Sequence, residues 1–327
     1  MCYFCISAIL VNCSKSTLLM PRYHLFKPCF LFASISCPTI SSYAQQVKNV
    51  PAAFEALSAE PEVIVLANDI DVPTKSGHLQ GVQVMVQDGA EKLLMSGSSL
   101  VQAYILQADL ASRQTEKLIP LMKEPFRHAG GIQLTDTYLG VGIEDNVKKT
   151  VSKVQLYNYH GEGLYEDQPV VTIDREGVPQ LKTSGATGIL ALENDYLIVV
   201  SNWDSRHWDF YRFDPNRVDR SIIYSFAAPA DWGSYQSINL IRDEEAIYAI
   251  GFYKTTDGNY ADLILVSKAG QFEPVMKKVL TKAFHCKSGV SFGAAAGLQV
   301  DNEGILHLWA TQPDALEQIA VNKFSRR

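Results

Sequence analysis

The segment Gly297-Leu-Gln-Val-Asp-Asn-Glu-Gly-Ile-Leu-His-Leu-Trp-Ala-Thr311 holds the key to the architecture. A small residue opens an alternating stretch, the polar turn Asp301–Gly304 reverses the chain, and a second apolar strand follows. Turn residues between β-branched or aromatic runs mark a hairpin. The opening recurs as Gly81-Val-Gln-Val, Gly131-Ile-Gln-Leu, Gly188-Ile-Leu-Ala-Leu and Ser237-Ile-Asn-Leu, with successive spacings of 50, 57, 49 and 60 residues. A fixed period of this size is the mark of a repeat architecture.

Each repeat continues into a third strand, such as DFYRFD (209–214) or DLILVS (262–267). Four of them add a fourth, such as SIIYSF (221–226). The last repeat ends without one, and a spare strand, EVIVLAND (62–69), stands at the other end of the chain. A first strand that completes the last sheet removes the exposed edges of an open array. The pattern predicts an all-β chain: a five-bladed β-propeller over 62–327, built of four-stranded antiparallel blades, with the N-terminal strand completing the last blade. A β-sandwich or a six-bladed ring leaves the mismatched ends unexplained. Residues 45–61 read as a linker with one short helical turn at Pro51–Leu57. Along the predicted axis, Gln83, Gln133, Asn239 and Gln299 share one repeat position, suited to amide hydrogen bonds between blades.

Residues 1–44 contain Lys15, Arg22 and Lys27 and no acidic residue. Counted from Met20, a second candidate start, they show a basic stretch, an apolar run and Ser42-Tyr43-Ala44, which predict an export leader cleaved before Gln45. Anchoring as a lipoprotein at Cys37 is the alternative, disfavoured because Leu is missing three residues earlier. The remaining 283 residues carry 26 basic and 35 acidic side chains. That balance disfavours nucleic acid, because no basic face is available to neutralise phosphates. Five of the six cysteines lie in the first 37 residues, so an intrachain disulfide framework is excluded from the rest. Cys286 reads as a half-buried small residue. No later segment is apolar enough to span a bilayer, so the sequence predicts a periplasmic or extracellular monomer.

Strand alternation places the second-to-third and fourth-to-first loops on one face, where function usually resides. His78 and His128 each lie three residues before their glycine and should be neighbours at the axis mouth. With Glu144, Asp145 and His285 they form a nitrogen and carboxylate set for a divalent metal, calcium or zinc. Trp203, Trp208, Trp232, Tyr235 and Tyr260 offer stacking faces, and Asp204, Arg206 and His207 offer polar contacts for a small ligand such as a glycan. Packing between loops is the competing reading of the two indoles in Asn202–Asp209. His128, Asp145 and Asp204 are the candidates for catalysis.

At blade level the repeats resemble secreted bacterial β-propellers. Among them, five-bladed glycoside hydrolases of the furanosidase type imply three carboxylates around the axis mouth, mostly on innermost strands. Here those strands carry Gln, Asn and small residues instead, and two carboxylates are the minimum for that chemistry. Three functions stand: an exported module binding a small polar ligand, carbohydrate included; a hydrolase or lyase using histidine and loop carboxylates, with or without a metal; and a protein-interaction scaffold.

Overall fold

The computed structural model describes residues 45–73, 77–87, 89–158, 168–217, 220–270 and 272–326. The expected leader, Met20 and Cys37 lie outside them. Contacts divide the chain after Ser41, and every described residue belongs to the second unit. Among the described residues the fold is all-β apart from one helix, α1 (Val50–Glu55). No helix among them is long and apolar enough to cross a membrane.

The first strand, β1 (Glu62–Ala67), is followed by four antiparallel runs. These are β2 (Leu79–Gln87), β3 (Ala90–Gly97), β4 (Gln102–Asp109) and β5 (Gln114–Lys123); then β6 (His128–Leu134), β7 (Tyr138–Glu144), β8 (Val151–Asn158) and β9 (Val171–Glu176). The third comprises β10 (Ala186–Ala191), β11 (Tyr196–Ser201), β12 (His207–Phe213) and β13 (Ile222–Ala227); the fourth, β14 (Ser237–Arg242), β15 (Ala246–Lys254), β16 (Asn259–Lys268) and β17 (Pro274–Phe284). A last run holds β18 (Ala295–Val300), β19 (Leu306–Thr311) and β20 (Gln318–Phe324). β1 pairs antiparallel with β20 from Glu62↔Lys323 to Ala67↔Gln318, so the first strand lies beside the last. Single parallel bridges, Ala296↔Gly81, Ala186↔Gly131 and Ala67↔Gln114, join neighbouring runs. One paired residue is no ladder; each bridge marks a close approach of separate sheets. The opening strands β2, β6, β10, β14 and β18 are neighbours in that order, and β18 returns to β2.

Central strands of these runs are buried on both faces, as YLIVVS of β11 shows, and therefore read as continuous apolar runs. Outer strands alternate, as in the eeieie pattern of β13, where one face meets solvent. Core clusters lie between adjacent sheets: Leu139, Val141 and Ile143 of β7 meet Leu94 and Ile105 of the preceding run. Trp208 and Phe210 of β12 pack with Leu240 and Ile264 of the following one.

The stretch 45–61, expected as a linker, instead packs into the sheets. Val47, Val50, Phe54 and Leu57 are buried in one core cluster with β15 and β19. Asn49 Oδ1 accepts the Ala52 N–H to cap α1, and Val50 N donates to Asp243 Oδ2. Gln45 inserts its amide among the sheets, Nε2 donating to Leu134 O at 2.8 Å and Ile189 O at 2.7 Å.

Candidate functional site

Two irregularities in the innermost strands create the site. β2 pairs Leu79 with Gly97 but Gly81 with Ser96, so Gln80 is the extra residue of a bulge. β6 pairs Ala129 with Ile143 but Ile132 with Val141, so Gly130-Gly131 hold an extra residue too. The registers of β10, β14 and β18 run without a shift. Bulges re-aim side chains and are common beside functional sites. The glycines are required here, because a Cβ on Gly130 would collide with the Gly185 carbonyl and one on Gly131 with Ser237 Oγ.

Above the second bulge, His128 opens β6 directly opposite Glu144 at the end of β7. Its Nδ1 lies 3.2 Å from Glu144 Oε1. Both side chains are buried, at 9% and 1% exposure. Glu144 Oε2 accepts the Ser184 N–H at 2.7 Å, which fixes the carboxylate from the next sheet. The other imidazole nitrogen of His128, Nε2, faces Gln80 Nε2 at 3.1 Å, and the same amide nitrogen also meets His78 Nε2. The two imidazoles stand edge to face with centroids 5.8 Å apart. Burial, and secondarily the neighbouring His128, hold the His78 pKa below the ordinary value, which favours its neutral ring.

The axis is closed beneath this cluster. Gln83 Nε2 donates to Asn239 Oδ1 at 3.1 Å, and Asn239 Nδ2 donates to Ile132 O. Gln133 Oε1 accepts from Ile189 N and Leu240 N, while its Nε2 donates to Leu240 O. These three amides are buried and take each other and the backbone as partners. Gln299 departs from the set and bonds Glu91 and Trp309 instead. Among the described residues these bonds block the axis below the histidines.

The remaining expected residues divide sharply. Trp208 is fully buried, its Nε1–H donating to Ser205 O, and it meets Trp232 and Tyr235 edge to face at 6.0 Å. Tyr235 donates its hydroxyl to Asp262. These three rings are loop-to-sheet packing, which corrects their assignment as ligand platforms. Tyr260 is half-buried and stacks on Tyr253. Trp203 is different: 49% exposed, with the Lys149 ammonium 4.6 Å from its ring centroid. Its backbone N–H donates to Thr183 Oγ1, next to Ser184, which places the Trp203 backbone beside the segment that holds Glu144. Arg206 is committed to the Pro229, Trp232 and Gly233 carbonyls, and Asp204 Oδ1 accepts the Arg206 N–H. The Arg206 guanidinium is taken up by backbone carbonyls, and one oxygen of the half-buried Asp204 turns its own loop.

Asp145 Oδ1 accepts from Val147 N and Lys148 N and so shapes its own loop. His285 pairs with Glu60, away from the mouth. Among the described residues, no group of three or more His, Cys, Asp or Glu is placed to hold a metal ion. His207 pairs with Asp209 at 3.1 Å, and that buried carboxylate also meets Arg175 at 3.0 Å and Lys182 at 2.9 Å. Sequence reasoning missed Gln80, whose only sign is its place just before Gly81, and Ser184, whose contribution is a backbone N–H that no sequence displays.

Surface hollows lie elsewhere. One of about 730 Å³ runs past Val65, Ser288, Gln312 and Leu316, and one of about 460 Å³ lies among Gln46, Asp195, Arg212 and Arg242. Neither touches the histidine cluster. The first is an open groove without a titratable pair, so the chemistry at the mouth outweighs its size.

No protein-family model matches the chain, and no curated protein matches it. Solved structures do. A GH43_1 enzyme from Xanthomonas citri complexed with xylotriose aligns with TM-score 0.50 and 9% identity over 83% of this chain and 92% of its own. A GH62 hydrolase in complex with xylotriose aligns at 0.49 and 6%, over 80% and 97%. The catalytic domain of a Coprinopsis cinerea GH62 alpha-L-arabinofuranosidase aligns at 0.47 and 10%, over 80% and 96%. The GH43 and GH62 enzymes are β-propellers, and the likeness to the GH43_1 enzyme is one of fold.

Proposed function

We propose that this chain is an exported β-propeller of five blades that binds a hydroxyl-bearing ligand, carbohydrate by class, at the mouth formed by His78, Gln80, His128 and Glu144. The buried His128–Glu144 pair carries this reading. Burying a carboxylate and an imidazole costs stability, and the strand that carries His128 is bulged directly beyond it, while a second bulge turns Gln80 toward it. Ser184 Oγ and Ser237 Oγ are also buried without a partner among the described residues, so polar groups there have capacity for hydroxyls. Trp203 beside them gives a sugar ring an apolar face. The five blades rest on the cyclic order of β2, β6, β10, β14 and β18. Likeness to enzymes solved with xylotriose supports the carbohydrate class through fold alone.

A second reading, a hydrolase or lyase, is favoured by one feature. Glu144 Oε1 lies 3.2 Å from Nδ1, and a His128 ring protonated there would present Nε2 as its proton-accepting atom, the arrangement of a general base. For the two-carboxylate route to glycoside hydrolysis, Asp145 is the acid next to Glu144 among the described residues, and its Oδ1 is taken by its own loop.

Ligand-detected NMR against xylo-oligosaccharides and a broad glycan panel tests both. Binding that is lost in Trp203→Ala and His128→Ala is expected. Binding absent from the panel, or indifferent to both changes, overturns the proposal. Turnover abolished by His128→Ala would move the assignment to the second reading.

A further inference from the structure

We infer that His78 and His128 form a binding site for an imidazole-preferring divalent transition metal of the zinc type, with Gln80 as the third protein ligand. Three observations converge. Nε2 of both imidazoles faces one atom, the terminal nitrogen of Gln80, so the two lone pairs point into the same small volume. The far nitrogen of His128 faces the buried Glu144 carboxylate, itself pinned by the Ser184 N–H. At 3.2 Å the carboxylate is an ion-pair neighbour of that nitrogen rather than its aligned hydrogen-bond acceptor, and a small turn of the ring on binding a metal would give the imidazole–carboxylate support usual around a metal-binding histidine. Finally, the residue between the two imidazoles is the extra residue of a β-bulge, 2% exposed, on one of only two bulged innermost strands.

Without a metal, the two N–H groups of Gln80 satisfy the two imidazoles. A half-turn of the amide exchanges Nε2 for Oε1 and converts the shared donor into a carbonyl ligand. Zinc needs nitrogen at about 2.0–2.1 Å, a closure within reach because terminal histidine torsions are soft and His78 is only half-buried. Three protein ligands leave a position open toward the mouth, as in catalytic rather than structural zinc sites. Two imidazoles and one amide disfavour calcium, which takes six or more oxygen ligands. The amide explains why no cluster of three His, Cys, Asp or Glu marks the place.

The inference stands apart from the carbohydrate reading, because it is tested without any sugar. Chelator-stripped full chain is titrated calorimetrically with zinc chloride and, separately, calcium chloride. One equivalent of zinc and no calcium is expected. His78→Ala, with circular dichroism confirming that the variant stays folded, should abolish the heat; Glu144→Gln should weaken affinity roughly 10- to 100-fold. His285→Ala, at the remote Glu60 pair, should change nothing. Absence of zinc heat in the unaltered chain overturns the inference. So does zinc binding that survives His78→Ala, or that is lost in His285→Ala.

Discussion

His128 and Glu144 are directly opposed across β6 and β7, and their Nδ1 and Oε1 atoms lie 3.2 Å apart in a buried setting. Glu144 also holds Ser184 N across the sheet boundary. Glu144→Ala should therefore strip the buried Ser184 N–H of its acceptor and remove the carboxylate beside His128. A loss of about 1–3 kcal/mol follows from leaving such a group unsatisfied. Glu144→Gln, which keeps the shape and an acceptor, should lose less. Urea unfolding of the two variants side by side checks the order.

The two indoles of the Asn202–Asp209 segment should behave oppositely. Trp208→Ala removes a fully buried ring and should cost about 3–5 kcal/mol. Trp203, half in solvent, should change stability by no more than about 0.5 kcal/mol when truncated. Thermal unfolding separates them, and equal losses would contradict the burial described above.

Asp209 gathers Arg175, Lys182, His207 and Ser225 around one buried carboxylate. Burial pushes its pKa up, but the hydrogen bonds from Ser225 and Lys182 and the Arg175 and Lys182 charges outweigh it, and the net shift is below 3.8. A folded-state pKa lowered in this way stabilises the fold above 3.8, and the contribution fades as pH falls through the folded value. Asp209→Asn should cost about 3–5 kcal/mol at neutral pH, since Arg175 is left buried without its partner. Acid titration should also show a flatter stability profile below 3.8 for this variant.

Gln45 closes the end of the axis opposite the mouth through Leu134 O and Ile189 O. Gln45→Ala leaves both carbonyls without that donor. A destabilisation of about 1–3 kcal/mol is expected, with faster amide exchange at the ends of β6 and β10. Unchanged exchange would show that the strap does not hold these strands.

Burial pushes the Cys286 thiol up to about 12. At pH 8 only roughly one molecule in ten thousand is then thiolate, the reactive form. Iodoacetamide should label the folded chain far more slowly than the denatured one. Equal rates would mean that the loop before β18 exposes the sulfur.

The legible features were those written in local pattern. Small residues, polar turns and alternating runs mark hairpins wherever they stand, and the equal offsets of His78 and His128 from their glycines were enough to predict neighbours. Burial was not legible in the same way. Trp203 and Trp208 sit five residues apart in one loop-to-strand segment, yet one is half in solvent and the other is core. What separates them is a neighbouring sheet, which no local pattern encodes.

The sequence by itself determined an all-β repeat with a displaced first strand, because strand period and turn chemistry act over a few residues. Tertiary structure alone decided which polar residues meet. Gln80 joins the histidines only because a bulge turns it inward, Ser184 reaches Glu144 through a backbone N–H from another sheet, and His285 is carried off to Glu60. Each depends on the relative placement of separate sheets, set by the packing of whole faces rather than by the residues near any one position.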